Sequence, residues 1–460
     1  SASPSASGCL SPLPPHAPPW AAVMLSKWSC HSGWGRALSA RGEIARPERV
    51  RGLDDALADG LVPAIGMRRS YGDAALNSGG RVIDMTRLDR MLSFDPATGI
   101  LDAEAGARIG EIAAAFAPRG WLPPVMPGTG FATIGGCIAQ DVHGKNHHGA
   151  GSFCQHVTSI TLRQGARAVT VTPEKTPDLF RATAGGLGQT GIIVSARLRL
   201  MPAKGDIMMV TERRVEGWDE FLALLDGSTA TYTVGWIDAT AKGGALGRGI
   251  LEEGETGSGL VPKRIKYRKV PFNAPHFALS KPVVRAFNNA YFRRVPDHGR
   301  TVVKPITDFF FPLDKIHDWN KLYGKRGFHQ FQCVVPVDQA PALRTMLETI
   351  ANSGLASPLA VLKRMGPGRA GYLSFPMEGY TLAVDFPNRA EARELIKRLE
   401  DMTIAALGRL YFAKDSLARG SDIKAMYPEH DQWLKVIEKS DPNGRLTTDM
   451  VRRLKLRMPK

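Results

Sequence analysis

The stretch 127–153, PGTGFATIGGCIAQDVHGKNHHGAGSF, sets seven glycines among hydroxyls, amides, a lysine and three histidines. Glycine lets backbone approach a ligand closely and turns successive N–H groups onto phosphate oxygens. A second polar turn, Ile65-Gly66-Met67-Arg68-Arg69-Ser70-Tyr71-Gly72-Asp73, follows a predicted strand and adds further donors. Two such loops can hold an extended pyrophosphate without a helix N-terminus. Two ordinary tight turns account poorly for so many glycines beside so many polar groups.

Two other motifs point elsewhere and fail on context. His143, His147, His148 and His156 fall within fourteen residues, and the first two have helical i, i+4 spacing, which raises a metal site. Gly144, Gly149 and Gly151 oppose a stable helix there, so the expectation is turn geometry and hydrogen bonding to a polar ligand, with no metal. Gly186-Leu187-Gly188-Gln189-Thr190-Gly191 matches G-x-G-x-x-G, with Asp206 further on. A dinucleotide fingerprint needs strand, glycines, helix. Here a predicted helix precedes the glycines and a strand follows them, which excludes a Rossmann site.

The elements that must position these loops are legible from periodicity. VPAIG (62–66) and RVIDM (81–85) are predicted strands, and IGEIAAAFAPRG (109–120) is an amphipathic helix closed by Gly120. SITLRQ and AVTVTP form a strand pair, PDLFRATA is helical, and GIIVSARLRL (191–200) is a long strand. MPAKGD (201–206) reads as a domain link. Strand and helix segments then recur over 207–410, which predicts an antiparallel sheet backed by helices and an α+β class. Residues 1–23, rich in Ser, Pro and Ala, are expected to be disordered.

Of 460 residues, 43% are hydrophobic and 23% charged, which excludes a disordered or collagen-like chain. No run approaches the ~18 apolar residues of a spanning helix. Five cysteines form no CxxC pair, so neither a zinc module nor a disulfide scaffold is expected. The net charge of +16 is localised: residues 257–304 carry eleven Lys/Arg against Asp297 alone, and the last ten residues carry five more. Such a field suits a polyanionic partner. In 257–304 the cations alternate with Tyr267, Phe272, Phe277, Phe287, Tyr291 and Phe292, which suits an anionic membrane face; a solvated basic loop is the plain alternative. Five prolines, at 262, 271, 275, 282 and 296, predict a mobile flap without long regular structure.

At these residues the chain resembles the FAD-binding fold of the vanillyl-alcohol-oxidase type and, within it, the family of decaprenylphosphoryl-β-D-ribose 2′-oxidases. The resemblance runs collinearly from about Trp34 to the C-terminus. It rests on RSYGDAALNSGG (69–80), VIDMTRLD (82–89), the 127–153 loop, QTGII (189–193), FQCVVP (331–336), VLKRMGP (361–367), LSFP (373–376), VDFP (384–387), LYFAKDS (410–416) and AMYP (425–428). PGT with GG marks only the superfamily, whereas HGKNHH together with AKDS is far more specific.

The resemblance implies a two-subdomain FAD-binding domain over 24–203, a substrate-binding domain over 204–408, and a segment 409–460 that returns to the FAD-binding domain. Arg69 stands where a tethering histidine is often found, which implies non-covalent FAD. The implied flavin contacts are Arg69, Ser70, Tyr71, Gly72, Gly128, Thr129, Thr133, Gly135, Gly136, Gln140, His143, Ile193 and Tyr411. The implied substrate positions are Gln330, Gln332, Lys363 and Lys414. Taken alone, a surface lysine or a sheet-face glutamine would be the ordinary reading of these four.

The expected chemistry is oxidation of the 2′-hydroxyl of a polyprenyl-phosphoryl ribose, the first half of epimerisation to the arabinose donor of cell-wall arabinan. Lys414 is the expected cation for developing negative charge, and His143 and Tyr71 orient the hydroxyl or relay its proton. A reductase using NAD(P)H is the implied partner, and the implied location is cytoplasmic or peripheral at the inner membrane. Ala383, Ala360 and Thr381 replace a cysteine and two asparagines of mycobacterial members, which bears on selectivity rather than on redox chemistry. A soluble sugar or aldonolactone oxidase using O₂ is the alternative enzyme. A nucleic-acid-binding protein fits the charge but not the loops.

Overall fold

The computed structural model describes residues 26–263 and 266–458. The extension 1–23, with its expected disorder, lies outside the described residues, as do Arg264 and Lys460 of the basic segments. A four-stranded sheet runs in the order Ser26–Ser32, Ser39–Ala45, Arg81–Asp84, Ala64–Ile65, and the first polar loop lies between its last two strands in sequence. A five-stranded antiparallel sheet follows, in the order Met91–Asp95, Ile100–Glu104, Ile192–Arg199, Val157–Gln164, Arg167–Val171. The predicted helix is present as Ile109–Phe116 plus a short 3-10 turn, ended by Gly120 at φ 83°.

The second loop differs from the expectation of glycine turns alone, because it runs into a helix, Ile134–Gln140. Thr133 caps it by accepting from the Gly136 N–H at 3.1 Å. Ile134, Cys137 and Ile138, at i, i+3 and i+4, are buried in one core with Ile193, Ala196 and Leu198 of the neighbouring strand. That burial offsets the cost of Gly135 and Gly136 within the first turn. Around Gly186–Gly191 the order is helix Pro177–Thr183, glycines, strand Ile192–Arg199, as expected of a non-Rossmann turn.

Residues 207–410 contribute an eight-stranded antiparallel sheet. Its order is Arg300–Pro305, Ile207–Val215, Gly249–Gly257, Tyr232–Ile237, Ala360–Met365, Gly379–Pro387, Phe328–Pro336, Arg409–Leu410. Side chains alternate across a strand. Phe331, Cys333 and Val335 with Leu382, Val384 and Phe386 pack under the helices Ala340–Ser353 and Ala390–Ala405. Gln330 and Gln332 are therefore left on the other face. The class is α+β.

The basic segment corrects the expectation of a flap. Residues Lys281–Arg293 form a thirteen-residue helix, and Arg300–Pro305 is the edge strand of the large sheet. Pro282 sits in the first helical turn, where no N–H is needed, and Pro296 lies beyond the helix end; both positions tolerate proline. Three of the segment's cations are committed to acids of other strands. Arg294, Arg300 and Lys304 surround Glu212, whose side chain is fully buried, and Arg294 and Lys304 also reach Glu252.

Candidate active site

The pocket floor follows from strand register. Gln330 pairs with Asp385 and Gln332 with Ala383, while Val361 pairs with Ala383 and Lys363 with Thr381. Period two therefore puts Lys363, Thr381, Ala383, Asp385, Gln330 and Gln332 on one face of three adjacent strands. Gln332 Nε2 donates to Thr381 Oγ1 at 3.2 Å, and Gln330 Nε2 donates to Asp385 Oδ1. The strand Arg409–Leu410 at the sheet edge then delivers Tyr411 and Lys414 to the same place. Lys414 Nζ lies 3.7 Å from the centroid of the Tyr71 ring. A cation over an aromatic face is held by the ring quadrupole.

His143, on the second loop, faces these groups. Its ring is 5.2 Å from Tyr411 and 5.5 Å from Phe375, and Tyr411 stacks on Phe375 at 4.5 Å. Gln332 Nε2 donates to His143 Nε2 at 3.4 Å, which leaves the proton on Nδ1. Nδ1 is buried and has no partner within the protein. Burial and the charges of Lys363, His147 and Lys414 hold the imidazole well below its ordinary value. It is therefore a neutral donor at physiological pH. That supports an orienting role rather than a proton relay.

The two loops meet each other. The Arg69 guanidinium is sandwiched between Trp34 at 4.0 Å and Phe131 of the second loop at 4.4 Å. A Cβ on Gly66 would stand 2.5 Å from Thr133 Oγ1, so only glycine permits this approach. Arg68 adopts φ 53° beside it, a left-handed conformation costly for a side-chain-bearing residue. Thr129 Oγ1 and the Gly130 N–H both donate to Asp314, at 2.8 and 2.7 Å. Asp141, buried at the end of the helix Ile134–Gln140, accepts from Ser152, Cys154 and Ala370 and so ties the loop to the chain near 370. The other histidines differ from the expected turn: His147 and His148 lie in a short helix, His147–Ala150, and bond the distant carbonyls of Gly368 and Ala230, while His156 alone bonds locally, to Ala150.

Of the expected residues, the structure gathers Tyr71, His143, Gln330, Gln332, Lys363, Tyr411 and Lys414 into one cluster. Arg69, Ser70, Gly72, Thr129, Thr133, Gly135 and Gly136 lie along the two loops. Gln140 is at the far end of the short helix, and the Ile193 side chain is in the core, which leaves only its backbone for a ligand. Asp385, Asp314 and Asp141 were not singled out from sequence. Asp385 had a signal, since it alternates with Ala383 and Thr381 in YTLAVDFP. The other two had none, because their partners are distant in the chain.

Electrostatically the pocket is cationic. Burial, then repulsion from Lys414, lowers Lys363 to about 8. Lys414 is likewise lowered by burial and partly restored by Asp385. Burial pushes the Asp385 carboxyl up, against its bonds from Gln330 and Tyr323 and the charge of Lys414. Two lysines held together at this cost suit an anionic ligand.

The residues also fit a flavin nucleotide. Gly128 is exposed, and nothing lies within 4 Å of a Cβ built on it, so protein packing does not demand its glycine. Both His143 Nδ1 and Arg69 Nε are buried without partners. A ligand laid along the loops would meet these donors.

The fold and site define an FAD-dependent oxidoreductase, and the family model described as an FAD binding domain matches residues 58–167. The chain is 36% identical over 446 residues to the decaprenylphosphoryl-beta-D-ribose oxidase of Mycolicibacterium smegmatis, covering 92% of this chain and 97% of that protein. It belongs to the decaprenylphosphoryl-β-D-ribose oxidase family. An uncharacterised protein of Streptomyces coelicolor is 31% identical over 74% of this chain and 97% of its own length. The D-arabinono-1,4-lactone oxidase of Yarrowia lipolytica is 30% identical, but over only 31% of this chain and 28% of that protein.

Proposed function

We propose that the protein oxidises the 2′-hydroxyl of a polyprenyl-phosphoryl ribose to the 2-keto sugar, the first half of an epimerisation to the arabinose donor that a separate NAD(P)H-dependent reductase completes. The observation that carries this reading is the pair Lys363 and Lys414 beside Gln330, Gln332 and His143: a phosphate needs cations, and a sugar needs amides. FAD, when bound, supplies the hydride acceptor. Lys363 and Lys414 bind the phosphate, and Gln332 and Thr381 fix the sugar. His143 Nδ1–H orients the reacting oxygen, and Lys414 stabilises the negative charge that develops as the hydroxyl loses its proton to the Asp385 carboxylate on the same sheet face. The buried floor excludes water around that charge. Purified protein should be yellow and turn over a lipid-linked phosphoribose with an artificial acceptor, leaving free ribose and aldonolactones untouched. Acid precipitation should release all the colour into the supernatant, since Arg69 cannot tether a flavin. Turnover of free sugar with peroxide release would instead favour the lactone-oxidase reading.

The substrate reading extends to the surface. Among the described residues of 257–304, Tyr267, Phe272, Phe277 and Phe287 are each at least half exposed. Lys266, Arg268, Lys281, Arg285 and Arg293 are exposed among them. No helix of the described residues is long and apolar enough to cross a membrane. This face suits peripheral contact with anionic lipid, at about 1 kcal/mol per cation. Vesicles of neutral and of anionic lipid test it. Binding should require anionic lipid, weaken with salt, and fall at least tenfold when Lys266, Arg268 and Arg285 are replaced by Gln. Equal binding to both vesicle types would count against it.

A further inference from the structure

We propose that Arg453, far from the pocket in sequence, is a positioning residue for Lys414: it locks the first flavin loop to the loop that carries the lysine. The proposal rests on the role given to Lys414 above and adds what holds that lysine in place.

The two loops run side by side over three residues each. The Tyr71 N–H donates to the Ala413 carbonyl at 2.8 Å. A Cβ on Gly72 would lie 1.9 Å from the Asp415 carbonyl oxygen, so the backbones touch. Between these contacts Lys414 extends over the Tyr71 ring. The next residue of the first loop, Asp73, is buried, and so is Asp415. Two buried carboxylates at one seam repel each other, and each raises the cost of burying its neighbour. Left alone, they would push apart the two strands of chain that set the Lys414–Tyr71 contact.

Arg453 removes that repulsion with full use of its fork. Nε and Nη2 donate to the two oxygens of Asp73 at 2.9 and 2.8 Å, and Nη2 also reaches Asp415 Oδ2 at 2.9 Å. Nη1 donates to the Ala418 carbonyl at 2.9 Å. The remaining Asp415 oxygen accepts from the Leu417 and Ala418 N–H groups at 3.2 and 2.9 Å, which closes the turn after Lys414. The short helix Asp449–Arg453 is itself pinned to the first loop. Asp449 accepts from the Ser78 N–H and hydroxyl at 2.9 and 2.7 Å, and Arg452 donates to Asn77 at 2.8 Å. A C-terminal element thus grips residues 73–78 with one hand and the turn after Lys414 with the other. Lysine cannot replace this arginine, since an ammonium has no planar fork to span two carboxylates.

A nearby pair provides the control. Arg457 and Asp441 form another buried ion pair, at 3.0 Å, in the same C-terminal segment but away from the seam. The holoenzyme is compared as wild type, Arg453→Lys and Arg457→Lys. Each is measured for turnover per bound flavin and for the rate of reductive methylation of Lys414 relative to exposed Lys435. Arg453→Lys should lower kcat per bound flavin at least about tenfold and should speed methylation of Lys414 severalfold. Arg457→Lys should lose stability but keep both values within twofold of wild type. The double variant Arg453→Lys with Asp73→Asn, which loses the fork but also the carboxylate repulsion, replaces Arg453→Lys if that variant does not fold, with a smaller rise in Lys414 labelling expected. Unchanged labelling of Lys414 overturns the proposal whatever turnover does, and equal effects of Arg453→Lys and Arg457→Lys reduce Arg453 to a structural residue. The labelling needs no substrate, so it decides this point even if the proposed sugar is not oxidised.

Discussion

Replacing Lys414 by alanine should lower kcat/KM about 10²-fold or more while the protein folds and keeps its flavin. The side chain is half-buried, touches the Tyr71 ring, and has Asp385 as its counter-charge. Its charge is costly to bury in the free enzyme and is repaid as the anionic substrate binds and charge develops on its reacting oxygen. Removing one preorganised donor of this kind typically costs about 2.7–4 kcal/mol in the barrier. The Tyr71–Ala413 backbone bond and the Arg453 bridge survive the substitution, so the loops should stay in register. Steady-state kinetics with flavin content measured on the same preparation check this. A loss below tenfold, about 1.4 kcal/mol, would make Lys414 a bystander.

Glu212→Gln should destabilise the protein by about 3–5 kcal/mol and leave the active-site geometry intact. Glu212 is opposite Glu252 on one neighbouring strand and Arg300 on the other. It accepts from Arg300 at 2.6 Å and from Arg294 and Lys304 at 3.0 Å each. The amide keeps the shape but leaves Arg294 and Lys304 to share Glu252 and Arg300 without its carboxylate. Burial works to raise this carboxyl, and Arg300, Lys304 and Arg294 together overcome it, holding it below its ordinary 4.5. A depressed folded value means the stabilisation is fully present above pH 4.5 and is lost as pH falls through that lower value. Urea midpoints should therefore differ between wild type and Glu212→Gln at neutral pH and converge in acid. A constant difference across that range would place the effect elsewhere.

The same network shows where sequence reasoning about charge fails. Eleven cations against one acid in 257–304 is correct as a count, but its meaning depends on where the acids of other strands lie. Glu212 comes from the strand that pairs with Arg300–Pro305 only in the folded sheet, and Glu252 from the next strand over, so the cations at 294, 300 and 304 read as surface charge until tertiary structure is known. Proline misled for a related reason. Its effect depends on its position in the helix, and Pro282 occupies the one turn that accepts it.

Periodicity and turn residues, by themselves, determined most elements, the α+β class, and the exclusion of a Rossmann site at Gly186–Gly191. These depend on contacts a few residues apart, which a linear pattern records. The two polar loops were visible for the same reason, and spacing alone put Gln330 and Gln332 on one strand face. Tertiary structure alone decided what joins them. It aligned Lys363, Thr381 and Asp385 with those glutamines by strand register, seated Lys414 on Tyr71, and brought Arg453 to Asp73 and Asp415. A carboxylate's partner is set by where distant strands and loops meet. No local pattern in the chain encodes that meeting, because its energy comes from burial of the whole sheet and loop assembly.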